Sequence, residues 1–380
     1  MPSPSVPPTM RQLHSLVRED ATLELSLAQV PTPEPAEHEV LIRIDATPIS
    51  PSDLALLLAL GDGSGAESTG TADAPVTTIP LSRGVMAAVS GRVGEPTTVG
   101  NEGCGVVVAA GSDPAAQALL GRRVSFAGGD AFADYRALPA QVCLPLPDDS
   151  APASGAASFV NPMTALLMLE TMREEGHTAL VHTAAASSLG QMLVRLCQAD
   201  SVPLVNVVRR EEQAALLRDL GAEHVVISGT DSFAADLQEA VAATGATLAF
   251  DAIGGGRLAS QILSAMEAAE SAGAPYSRYG SDVHKQVYIY GGLDRSPTEL
   301  IRSCGFAWGL GGWLLMPRLS RLGGEGIVRL RTRVAHELTT TFATTYAREI
   351  TLAEALDPGT IAGYAALETG GKYLIRPDLG

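Results

Sequence analysis

From about Asn161 the chain alternates short, continuously apolar runs with amphipathic stretches of helical period, and this constrains its fold more than any other feature. "TALVHT", "PLVNVV", "HVVIS", "ATLAFDAIGG" and "QVYIYGG" read as five strands. Between them "SSLGQMLVRLCQAD", "REEQAALLRDLGA", "DSFAADLQEAVAAT" and "RLASQILSAMEAAE" read as helices. Strands without polar alternation are buried on both faces, so the pattern predicts a parallel sheet covered by helices. The fold class is α/β.

The first 158 residues follow another rule. Short apolar runs such as "EVLIRIDATPI", "GCGVVVAAG", "GRRVSFA" and "FADYRALP" are separated by Gly and Pro, as in a small β-barrel or sandwich. Residues 61–100 are rich in Gly, Ser, Thr and Ala and predict a long surface loop with at most a short strand near "SRGVMAAVSGRV". "MPSPSVPPTMRQ" predicts a loose N-terminal tail without a signal-peptide pattern. The last segment, "AHELTTTFATTYAREITLAEAL" and "GKYLIRP", predicts strand, helix and a final strand that return to the first domain.

Charge and cysteines exclude several function classes. The net charge of −16 argues against a nucleic-acid partner, and no apolar run approaches the roughly 18 residues of a membrane span. Cys104, Cys143, Cys197 and Cys304 are widely and irregularly spaced, which argues against a structural zinc and predicts reduced thiols in a cytoplasmic protein.

The stretch "LVHTAAASSLGQMLVRLC" (residues 180–197) places a tight turn between a buried strand and a helix. Of the pattern G-x-G-x-x-G only Gly190 is present, at the place of the third glycine, where helix packs on strand. Ala184, Ala185 and Ala186 keep the turn small, while Ser187 and Ser188 supply hydroxyls to a pyrophosphate at the helix N-terminus. The next strand ends in Arg209 and Arg210, where an NAD site carries an acidic residue about 20 positions past the turn. Two arginines there fit a 2′-phosphate, so the predicted cofactor is NADPH.

Together "ATPISPSDLALLLALG", "VGNEGCGVVVAAG", "FVNPMTALLMLE", "NVVRREEQAALLRDLGAEHVV", "FDAIGG", "YGG" and "GKYLIRP" resemble the medium-chain dehydrogenase/reductase superfamily, in its zinc-independent quinone oxidoreductase and enoyl reductase branch. The resemblance implies a GroES-like β-rich catalytic domain, residues 1–158 and 335–380, and a Rossmann NADP-binding domain with a doubly wound parallel sheet, residues 159–334. It implies cofactor contacts from Asn161 and Thr164, from the Ser187–Ser188–Leu189 turn, from Arg209 and Arg210, from Tyr290, Gly291 and Gly292, from Trp313 and Leu314, and from Lys372. Where zinc-dependent members carry Cys and His, this chain has Ser50 or Ser52 and Asn101, which are poor zinc ligands, so no metal is expected. Ser50, Ser52 and Asn101 are the candidate catalytic residues, Asn101 as a donor to a carbonyl oxygen.

The tyrosine that enoyl-thioester reductases carry after this early loop is missing, and no Tyr precedes Tyr135. That favours hydride transfer to a quinone or a small activated enone. The alternatives are a 2-enoyl thioester reductase and an NADPH-binding sensor with little turnover. A homodimer acting on a small molecule is expected. In "SAGAPYSRYGSDVHKQ", Tyr276, Tyr279, His284 and Lys285 are predicted to lie at the rim opposite the site, in surface or interface roles.

Overall fold

The computed structural model describes residues 6–380. The last four residues of the predicted N-terminal tail, Thr9–Gln12, belong to the first strand; residues 1–5 lie outside the described residues. Ten strands come first: β1 (Thr9–Val17), β2 (Thr22–Pro31), β3 (Glu39–Pro48), β4 (Glu67–Gly70), β5 (Pro75–Pro80), β6 (Thr97–Thr98), β7 (Glu102–Ala110), β8 (Arg123–Ala127), β9 (Tyr135–Pro139) and β10 (Leu144–Pro145). Then come β11 (Leu180–Thr183), β12 (Leu204–Val208), β13 (His224–Ile227), β14 (Leu248–Asp251), β15 (Lys285–Ile289) and β16 (Trp308–Gly312), and finally β17 (Arg348–Ile350) and β18 (Tyr373–Ile375).

The chain divides into two compact units, one running up to Val160 and including Arg331–Gly380, the other Asn161–Leu330. The first unit holds two sheets. One has the order β4-β5-β2-β1-β6, the other β10-β8-β7-β3-β18-β17 with β9 also paired to β3. Along β1 buried and partly exposed residues alternate, so Leu13 and Val17 enter a core with Leu23, Leu25 and Ile79. The predicted loop at 61–100 is instead a β4–β5 hairpin that extends the first sheet, followed by the helix Arg83–Ala88 capped by Ser82. Polar "PVTTIP" conceals a strand because its inward positions are Thr77 and Ile79, and Thr77 is buried by donating to Leu356 O. The C-terminal tail follows the predicted order of strand, helix and final strand: β17, the helix Pro358–Ala365 and β18, which pairs with β3 of the first unit, while the helix Gly323–His336 precedes them.

In the second unit six parallel strands stand in the order β13-β12-β11-β14-β15-β16. The order reverses beside β11, and the carboxyl ends of the strands next to that point are where such sheets take ligands. Val181, Val205, Ala249, Ile262, Leu263 and Met266 are all fully or almost fully buried in the core of this unit. Each large aliphatic side chain contributes about 1.5–3 kcal/mol by leaving water.

Lys285 corrects the expectation of a surface role. Its side chain is fully buried, and Nζ donates to Glu267 Oε2 at 2.5 Å and to Ser281 Oγ at 2.9 Å. Tyr276 and Tyr279 are exposed as predicted.

Candidate functional site

The second unit gathers most of its candidate residues at the carboxyl ends of β11, β12, β15 and β16, with Asn161 and Thr164 on the helix Val160–Glu174. After β11, Ala184 takes a left-handed conformation with φ 49° and turns the chain into the helix Ser188–Ala199. Ser187 caps that helix, its Oγ accepting from Gly190 N at 3.1 Å. A Cβ on Gly190 would stand 2.0 Å from Ala185 O, so only glycine lets the helix approach the turn this closely. Gly190→Ala is expected to destabilise this unit by about 1–3 kcal/mol and to displace the turn. Chemical denaturation paired with a cofactor titration checks both. The first-turn amides of Ser188 and Leu189 are among those every helix leaves unpaired within itself. Ser187 is exposed and Ser188 half-buried, whereas the Leu189 side chain is buried, so Leu189 offers only its backbone.

One strand over, Arg209 and Arg210 follow β12, and both are exposed. Their amides donate to Gln213 Oε1 at 3.0 and 3.2 Å, which fixes the backbone at the start of the helix Glu211–Asp219. Among the described residues the Arg209 guanidinium pairs with no carboxylate, and Arg210 Nε is 4.0 Å from Glu212 Oε2.

Asp251, at the end of β14, was not singled out from the sequence, although "FDAIGG" was. Its buried carboxylate accepts from Thr183 Oγ1 at 2.7 Å, Ile253 N at 2.9 Å and Gly254 N at 3.1 Å. This locks the loop after β14 to the end of β11. Gly254 and Gly291 then touch: a Cβ on Gly254 would lie 2.8 Å from Gly291 O, and one on Gly291 2.6 Å from Ala252 O.

Beside this contact a cavity of about 690 Å³ is lined by Tyr290, Gly291, Gly292, Trp313, Arg318 and Arg321, with Leu314 also at its wall. Five predicted residues therefore share one cavity. The Trp313 ring is turned inward, packing edge-on against Phe250 and donating Nε1–H to Thr171 Oγ1 at 3.2 Å, whereas Leu314 is exposed. The Tyr290 hydroxyl lies 2.7 Å from Nε2 of His182, a buried β11 residue that sequence reading passed over. Burial pushes His182 down to about 3, so the ring is neutral, and pushes the Tyr290 phenol well up, with Asp251 adding to the rise. Asn161 and Thr164 lie in the first turns of the helix Val160–Glu174, half-buried and buried respectively.

In the first unit Ser50 caps the short helix Pro51–Leu57, whose second residue is Ser52. Asp53 is buried. Its Oδ2 accepts from Ser50 N at 2.8 Å and its Oδ1 from Asn101 N at 2.8 Å, which ties the early loop to "GNE". At the surface Asn101 Nδ2 donates to Ser52 Oγ at 3.0 Å. The three candidate catalytic residues are thus brought together. Glu102 Oε2 accepts from Phe159 N at 3.0 Å and Val160 N at 2.9 Å. Burial pushes Asp53 up to about 7; the amides of Ser50 and Asn101 pull it down, Glu102 adds to the rise and Lys372 opposes it. Burial likewise raises Glu102, against Lys372 and its two amides. Lys372 is lowered by burial and held up by Glu102 and Asp53, two carboxyls of its own unit. Among the described residues no three His, Cys, Asp or Glu side chains group as a metal site, and no helix is long and apolar enough to cross a membrane.

No protein-family model matches the chain. It is 30% identical over 162 residues to prostaglandin reductase-3 of Mus musculus, which is 42% of each chain. It is 30% identical over 220 residues to the mitochondrial enoyl-[acyl-carrier-protein] reductase of Xenopus tropicalis, covering 53% of this chain and 51% of that one. The chain thus spans about half the length of these curated relatives. A crystal structure from Mesorhizobium loti, assigned as an NADPH:quinone reductase, superposes with TM-score 0.73 at 28% identity over 98% of this chain and 100% of that one. In sequence and in its α/β architecture the chain is thus similar to the quinone oxidoreductases and enoyl reductases of the medium-chain dehydrogenase/reductase type.

Proposed function

We propose that this chain is an NADPH-dependent oxidoreductase that transfers hydride to a quinone or activated enone without a metal. The observation that carries the reading is the pairing, on adjacent strands, of the Ser187–Gly190 turn after β11 with the exposed arginines after β12. The residues fit a dinucleotide. Gly190 admits the close helix approach, the first-turn amides and Ser187 face an anion, and Arg209 has no carboxylate to neutralise it. In this reading Arg209 and Arg210 hold the 2′-phosphate, and Ser187, Ser188 and the Leu189 backbone hold the pyrophosphate. Asn161 and Thr164 lie toward the ribose, and the cavity at Tyr290, Gly291, Gly292, Trp313 and Leu314 takes the nicotinamide end. When bound, the nicotinamide supplies hydride from its C4. In the first unit Asn101 and Ser52 orient the acceptor. Asn101 Nδ2 carries a second N–H beyond the one given to Ser52, and that N–H can stabilise developing charge on a carbonyl oxygen.

One observation favours a second reading, a 2-enoyl thioester reductase. Arg318 and Arg321 line the cavity and could take the phosphates of a thioester carrier, although Arg318 already pairs with Glu175. The test is a fluorescence titration with NADPH and NADH, followed by addition of a small quinone or an enoyl thioester. Selective NADPH binding with consumption by quinone is expected. Consumption by the thioester alone would transfer the assignment, and no binding of either nucleotide would overturn both readings.

A further inference from the structure

The second sheet of the first unit places four polar side chains in a row across one end. In the order β7-β3-β18-β17, Glu102 begins β7, Ser50 follows β3, Lys372 precedes β18 and Tyr346 precedes β17. Backbone bonds fix the row: Ile49 N donates to Tyr373 O at 3.0 Å, Ala347 N to Lys372 O at 2.8 Å, and Thr47 Oγ1 to Glu102 O at 2.6 Å. Three buried atoms in this row, Ser50 Oγ, Glu102 Oε1 and Tyr346 Oη, have no hydrogen-bond partner. Lys372 Nζ makes no hydrogen bond or ion pair among the described residues either; its coupling to Glu102 and Asp53 is electrostatic. Buried polar atoms are nearly always satisfied, so several unsatisfied ones at one sheet end mark a place where polar chemistry takes place or water enters.

The charge count is uneven. Asp53 and Glu102 are two buried carboxyls facing the one ammonium of Lys372. In a poorly solvated site two carboxyls oppose each other's ionisation, so burial raises both above the ordinary carboxylate range, Glu102 adding to the rise of Asp53, while Lys372 and the bound amides pull them down. Tyr346 faces the cluster from β17, with Glu349 and Cys104 acting on it, and stays neutral through burial. On the surface side Asn101 bridges outward: its N donates to Asp53 Oδ1 at 2.8 Å and its Nδ2 to the exposed Ser52 Oγ at 3.0 Å.

We propose that Asp53, Glu102 and Lys372 store one exchangeable proton between them and that this proton completes the reduction assigned above. The proposal rests on the reductase reading. Hydride transfer to a quinone or enone leaves an oxyanion or enolate one proton short. The new O–H or C–H bond forms as the stored carboxyl O–H breaks, with water carrying the proton from the buried carboxyl to the acceptor, and solvent returns a proton to the carboxylate. No further oxidant or reductant is required.

The test follows kcat for quinone reduction at saturating NADPH against pH, alongside infrared difference spectra of the protonated carboxyl stretch. In the wild type the rate falls as pH rises through about 7, where Asp53 ionises, and the carboxyl band vanishes over the same range. Lys372→Met removes the cation that favours the carboxylate, so both transitions move up by about one pH unit or more. Glu102→Gln removes the like charge and moves both down. Asp53→Asn abolishes the band and lowers kcat by roughly 100-fold. A merely structural ion cluster would lose stability in these variants without moving the limb. A wild-type band that does not titrate near neutrality overturns the proposal whether or not any variant folds. A titrating band whose midpoint the rate does not follow in the variants overturns the role in reduction. Failure to bind NADPH at all would instead remove the reductase reading, and the infrared titration would still decide whether the proton is stored.

Discussion

Replacing Arg209 and Arg210 together by alanine is expected to weaken NADPH binding by about 100-fold and leave NADH binding unchanged. Hydrogen bonds to a charged group contribute about 1.5–3 kcal/mol each. Both arginines are exposed, so solvent screening holds the pair slightly below that range, at about 2.7 kcal/mol in total, or about 100-fold in affinity. The loss should shrink as salt rises, because the interaction is charge with charge at a surface. NADH serves as the internal control, since it lacks only the 2′-phosphate. Equal weakening of both nucleotides would mean that the substitutions disturb the start of the helix Glu211–Asp219, where both backbone amides bind Gln213. No weakening of either would place the 2′-phosphate elsewhere.

Lys285→Met is expected to cost the second unit at least about 3 kcal/mol, because removing one partner of a buried ion pair strands the other. Glu267 keeps Ser271 Oγ, Ser281 N and Ser281 Oγ as donors, which holds the cost to the lower part of the usual range of about 3–5 kcal/mol. For a unit of this size the melting temperature should fall by about 6–12 °C. The carboxylate cannot swing free: Cβ atoms at Gly280 and Gly305 would stand 2.6 and 2.8 Å from its oxygens, so backbone walls it in. The pH dependence has a definite sign. Burial would raise the Glu267 carboxyl, but the hydrogen bonds from Lys285, Ser271 and Ser281 outweigh it and hold the group at about 2. A depressed carboxyl contributes stability above its unfolded value, about 4.3, and loses it as pH falls through that value toward 2. Wild-type melting temperature should therefore drop steeply over that acid window, and Lys285→Met should flatten the drop. An unchanged melting temperature in the variant would show that the pair contributes nothing net.

The parallel sheet was legible because buried strands write themselves as apolar runs: all five predicted strands overlap β11 to β15. The sixth, β16, was not, since "WGLGG" carries three glycines and no β-branched residue, and it joins the sheet only by pairing with β15. Lys285 was misplaced for a related reason. Lysine ordinarily reads as surface, and nothing local shows that Glu267, on another element, will meet it. The glycine and serine turn was legible from spacing alone, whereas the His182–Tyr290 contact joins residues 108 positions apart. Asp53 and Glu102 stood in quoted motifs, but their association with Lys372 comes from the neighbouring of β7, β3 and β18, which no local pattern encodes.

The placement of β18 between β3 and β17 also sets the order in which the molecule can be made. The second unit is one uninterrupted stretch, Asn161–Leu330, and every strand of its sheet has been synthesised before Arg331 is added. The first unit cannot close its second sheet until Tyr373–Ile375 emerges to pair with Thr47 and Pro48. During synthesis the Thr47–Pro48 end of β3 must wait for its β18 partner while the whole second unit is built, although Glu39–Arg43 can already pair with β9. Nascent chains arrested after the second unit should therefore present a protease-resistant later half and a cleavable earlier half, the reverse of the usual order in which domains mature from the N-terminus.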